Sequence, residues 1–113
     1  MTDTDTNPSA AEHSVIAHFR LAETGFGDSR QRATVRGYEK LLAQAVEQAR
    51  VGQIDGNEYG GGRVALYAYG PDADALYAVM EPLLRQIPFR PAHVFLRHGS
   101  ASDPTAAEHR IDL

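Results

Sequence analysis

The chain contains no cysteine, and this one absence excludes disulfides, iron–sulfur clusters, cysteine-ligated zinc and thiol catalysis. It also lacks any apolar run long enough to span a bilayer. Met1-Thr2-Asp3-Thr4-Asp5 has neither the basic nor the apolar segment of a secretory leader, so a cytoplasmic location is expected. Cations are in deficit: 11 Lys and Arg face 15 Asp and Glu, for a formal net charge of −4. That balance argues against nonspecific binding of nucleic acid.

Motifs that would carry a reaction are equally scarce. Gly25-Phe26-Gly27-Asp28-Ser29-Arg30 follows a strand and opens a helix, as a dinucleotide fingerprint does, but Arg30 stands where the third glycine is needed. Asp55-x-Asn57-x-Tyr59 begins like a calcium loop, yet Leu66 occupies the position of the bidentate carboxylate. Gly60-Gly61-Gly62 is not followed by the Lys-Ser/Thr of a phosphate loop, and no serine lies in a nucleophile elbow. His18 and His93 have no third ligand beside them in the pattern, so neither a metal nor a cofactor is expected.

What the chain does have is a centre. In Asp55–Asp74, a polar glycine-rich stretch becomes the alternating strand Arg63–Tyr69, and Gly70-Pro71 stops it. Asp72 then offers an N-cap for a helix from about Ala73. The 113 residues suit one domain with a small core. Residues 1–12, polar and small, read as a disordered N-terminal tail, 13–98 as the domain, and 99–113 as a flexible C-terminal tail in which Ile111 and Leu113 are the only apolar side chains of size.

Within the domain, period-2 alternation marks a half-buried strand from His13 to Leu21. Asp28 with Gln31 forms a capping-box pattern before a helix whose stripe is Val35, Tyr38, Leu41, Leu42, Ala45 and Ala49. Gln53–Tyr59 reads as a polar edge strand, and the glycines turn it into Arg63–Tyr69. The second helix has the stripe Leu76, Val79, Met80, Leu83 and Ile87, with a kink or break expected before Pro82. Ala92–His98 is the last strand.

The order βαββαβ predicts a two-layer ferredoxin-like α+β sandwich. Its sheet would have four antiparallel strands in the order 4-1-3-2, with both helices on one face. Alternation then assigns Ile16, His18, Arg20, Ala65, Tyr67, Tyr69, His93, Phe95 and Arg97 to the helix-free face. His18, Arg20, Tyr67, Tyr69, His93, Phe95 and Arg97 are the candidate binding residues, because they combine aromatic surface with cationic and imidazole groups in an acidic chain. Asp55, Glu58, Asp72 and Asp74 form a second candidate set.

The run Asp55-Gly56-Asn57-Glu58, Gly60–Gly62 and Leu66-Tyr67-Ala68-Tyr69-Gly70-Pro71-Asp72-Ala73-Asp74 is similar to small bacterial proteins that share this pattern. The resemblance covers about Val51–Arg97. It implies a ferredoxin-like fold and transfers no catalytic residue. The expected function is that of a binding domain acting through the helix-free face, as a homodimer, with a protein partner, or on a small anionic ligand. The alternative is a small enzyme of the dimeric α+β-barrel type, with His18, His93 and Tyr67 around a small organic acid.

Overall fold

A computed structural model describes residues 12–113. The elements are β1 (His13–Arg20), α1 (Ser29–Ala49), β2 (Gln53–Gly60), β3 (Arg63–Gly70), α2 (Ala73–Gln86), β4 (Ala92–His98) and β5 (Ala107–Asp112). All neighbouring strands are antiparallel, in one five-stranded sheet of order β2-β3-β1-β4-β5. This corrects the four-stranded ferredoxin-like sheet. A fifth strand comes from the stretch 99–113 that reads as a flexible tail, and it pairs with β4 from His98↔Ala107 to His93↔Asp112. The N-terminal stretch read as a tail lies, up to residue 11, outside the described residues.

Local chemistry explains the helix starts. Gln31 N donates to Asp28 Oδ1 (2.7 Å) and Asp28 N donates to Gln31 Oε1 (2.9 Å), closing the capping box of α1. Arg50 ends that helix in the left-handed region at φ 57. At α2, Asp72 Oδ1 accepts from Asp74 N (2.9 Å) and the imidazole Nδ1 of His13 accepts from Ala73 N (3.0 Å). A strand residue thus satisfies one of the helix's orphan donors. α2 runs unbroken across Pro82, which lies on its exposed side.

Side-chain parity separates two faces. Val15, Ala17, Phe19, Val64, Leu66, Ala68, Val94 and Leu96 meet the helices and are buried. From α1 the buried residues are Val35, Leu42 and Val46, and Leu41 is instead 48% exposed. From α2 they are Ala73, Leu76, Tyr77, Met80 and Leu84, with Ile87 just beyond its end. The expected α2 stripe is largely met, with Leu76, Met80 and Ile87 buried and Val79 and Leu83 packed against the core, and Tyr77 and Leu84 widen it. In α1, Val35 and Leu42 are joined by Val46 rather than by Leu41. Ile111 and Leu113 pack on this same core from the edge. Among the described residues, no helix is long and apolar enough to cross a membrane.

Candidate functional site

The strand registers put the helix-free face in rows, read from β2 to β5. Gln53, Tyr69, Ser14, Arg97 and Glu108 form the first row, and Gly56, Tyr67, Ile16, Phe95 and Arg110 the second. The third holds Glu58, Ala65, His18, His93 and Asp112, and Arg63 and Arg20 sit opposite each other at the end of the sheet. Antiparallel pairing brings side chains from four strands to that end, which no stretch of local sequence contains.

A recess of about 200 Å³ opens there, lined by His18, Phe19, Arg20, Arg63, Pro91, His93 and Arg110. The rings of His18 and His93 stack at 4.8 Å between centroids, 20° from parallel. Phe95 stands edge-on to both, 5.8 and 5.1 Å away, and the Arg110 guanidinium lies over its ring at 5.9 Å. Among the described residues, no carboxylate lines the recess. Asp112 engages Arg110 beside it, 3.0 Å from Nε, and Arg20 donates through Nη1 to the carbonyl of Ala22 (3.2 Å). Arg63 is exposed and makes no ion pair among the described residues. Three guanidinium groups and two imidazoles thus converge with little counter-charge, an arrangement suited to an oxyanion or carboxylate.

The electrostatics of the imidazoles follow from this setting. Burial lowers the pKa of His18, and the neighbouring His93, Arg63 and Arg110 lower it further. Burial also lowers that of His93, with Arg110 adding to the effect and Asp112 opposing it. The unfolded chain therefore takes up these protons at higher pH than the folded one. Stability is complete above the unfolded histidine value and is lost as pH falls through it toward the folded values. Replacing His18 by Asn is expected to reduce the loss of stability between about pH 7 and about pH 5. Urea midpoints of wild type and variant at both values check this, and an unchanged pH dependence would sink it.

A second recess, about 320 Å³, adjoins the first and shares His18 and Arg63 with it. There Tyr67 donates through its hydroxyl to Glu58 Oε1 (2.9 Å), and this hydrogen bond, followed by burial, raises the phenol's pKa. Tyr69 lies on the same face, its pKa raised by burial and then by Asp55. Arg97 is committed elsewhere. It donates through Nε to the carbonyl of Ser100 (3.1 Å) and through Nη2 to that of Asp103, and sits 3.7 Å from Glu108, so it holds the β4–β5 connection.

The second candidate set does not converge on one site. Asp72 caps α2, Asp74 Oδ1 is 2.9 Å from His98 Nε2, Glu58 holds Tyr67, and Asp55 lies at the bulge of β2. Among the described residues, no group of three or more His, Asp and Glu side chains could hold a metal.

Four lining residues, Phe19, Arg63, Pro91 and Arg110, are absent from the sequence-based set, and two of them are cationic. Arg63 has the same parity as Ala65, Tyr67 and Tyr69, so the alternation that placed those residues reaches it too. Arg110 belongs to the alternation of Glu108, Arg110 and Asp112 against His109, Ile111 and Leu113, a strand signal inside an apparent tail. No family model matches the chain, and neither a curated protein nor a solved structure matches it.

Proposed function

We propose that the chain is a binding domain whose helix-free sheet face takes a small organic anion. The observation that carries this reading is the convergence of Arg20, Arg63, Arg110, His18 and His93 on one recess that, among the described residues, no carboxylate lines. Charge-assisted hydrogen bonds from guanidinium groups are the strongest that protein side chains make to such a ligand. An anion there also favours the protonated imidazoles, so affinity rises as pH falls through the histidine range.

The test is titration with sulfate, whose charge stays constant across the neutral range, followed by amide chemical shifts. Saturable shifts confined to the ends of β1, β3 and β4 and to β5 around Arg110 are expected. Arg63→Ala is expected to weaken binding about tenfold or more, the worth of one hydrogen bond to a charged group. Absence of saturation, or equal affinity in the variant, would overturn the reading. A second copy of the chain is the alternative occupant, favoured by the row of partly exposed Tyr67, Ile16 and Phe95. Light scattering with and without sulfate separates the two, since a dimer through this face would dissociate as the anion fills it.

A further inference from the structure

The third row of the face has an unusual sequence of groups. Glu58 on β2 and His18 on β1 flank Ala65, whose small side chain is nearly covered and forms a floor between them. Neighbouring strands are about 4.8 Å apart, so the backbones of Glu58 and His18 are separated by roughly 10 Å. Arg63 is the next residue on the same side of β3, one pleat from Ala65. Glu58 and Arg63 both line the second recess, yet they form no ion pair with each other among the described residues. Opposite charges therefore border one open recess without pairing with each other.

We propose that the two recesses are one site and that its ligand is a small zwitterion, an amino acid in the broad sense. Its carboxylate rests on Arg63 and His18 at the cationic end. Its ammonium rests on Glu58, over the floor made by Ala65. This rests on the anion-binding reading above and adds the second pole. Glu58 is prepared for the role, because Tyr67 donates to Oε1 and thereby orients the carboxylate. Oε2 is left to accept from the ligand. The Tyr67 phenol remains protonated across the neutral range, and its hydrogen bond to Glu58 is the first cause of its raised pKa. A simple carboxylic acid fills only the cationic end, and a simple amine meets three guanidinium groups nearby, so the pair of poles selects for both charges in one molecule.

Matched probes test this: 4-aminobutyrate, butyrate and sulfate, titrated into the full chain and followed by amide chemical shifts. Aminobutyrate is expected to bind about tenfold or more tightly than butyrate, the worth of one added charged hydrogen bond. In Glu58→Gln that advantage is expected to vanish, and butyrate, no longer repelled by a nearby carboxylate, is expected to bind at least as tightly as to the wild type. The glutamine keeps an acceptor for Tyr67, and far-UV circular dichroism verifies that the fold is retained. If butyrate and sulfate bind but aminobutyrate gains nothing, the zwitterion proposal fails and the anion site stands. If the advantage survives in Glu58→Gln, the second pole is not Glu58 and the proposal fails. If none of the three binds, both readings fall together.

Discussion

Deleting residues 101–113 is expected to destabilise the domain by on the order of 3 kcal/mol, because it removes both a strand and part of the core. The six residues Ala107–Asp112 form an edge ladder with β4, and Leu113 N donates to the carbonyl of Ala92 (3.0 Å) just beyond it. Ile111 and Leu113 are half-buried against the core cluster, so each contributes part of the roughly 1.5–3 kcal/mol that a fully buried aliphatic side chain supplies. For a domain of this size, the melting temperature should fall by roughly 10–20 °C. Without β5, the β4 edge would present unpaired backbone groups and the shortened chain would tend to associate through it. Thermal circular dichroism of the full and shortened chains decides the matter. An unchanged melting temperature would mean that β5 adds nothing to the fold. The shortened chain should also lose sulfate affinity, since Arg110 leaves with the strand.

Gly62→Ala should cost about 3–5 kcal/mol, and Gly61→Ala, one residue away, only about 1 kcal/mol. Gly61 and Gly62 form the two-residue turn between β2 and β3, with φ values of 57 and 79, the positive pair that type I′ hairpins require. A side chain on Gly61 meets nothing within 4 Å, so that variant bears only the backbone penalty. A Cβ on Gly62 would run into the carbonyl of Ala22 and come within 2.8 Å of the Glu23 carbonyl carbon. The turn and the 21–27 loop are also joined by backbone hydrogen bonds. Leu21 N and Ala22 N donate to the Gly62 carbonyl (2.7 and 3.0 Å), and Gly62 N donates to that of Gly25 (2.8 Å). Backbone cannot give way cheaply, so the loop must detach and those bonds are lost. Urea midpoints of the two variants check this, and equal midpoints would show that the loop is free to move. Arg20 and Arg63 lie on either side of this junction, so Gly62→Ala should weaken sulfate binding as well.

The sequence by itself determined the local elements, because their causes are local. Asp28 and Gln31 close the α1 cap, Asp72 caps α2, and the paired glycines make the hairpin turn. Alternation in β1, β3 and β4 assigns Ile16, His18, Tyr67, Tyr69, His93 and Phe95 to the face away from the helices, since successive side chains of a strand point to opposite sides. Period-2 signals at the chain's end were also present, at Glu108, Arg110 and Asp112. They are easily read as a polar tail, because an edge strand buries only one or two side chains and has little apolar content to distinguish it.

Tertiary structure decided the rest. The buried stripes of the helices extend to Val46, Tyr77 and Leu84 and leave Leu41 exposed, because which flank of an apolar stripe is covered depends on the surface it docks against. Arg97 turns to the β4–β5 connection, although its parity allows it a place on the open face. The recess itself exists only once antiparallel register lines up residues 18, 63, 93 and 110, which are separated by as many as ninety-two positions in the chain (110 − 18). Parity assigns a side chain to a face, but only the register between strands selects its neighbours on that face, and those neighbours determine the charge of the site.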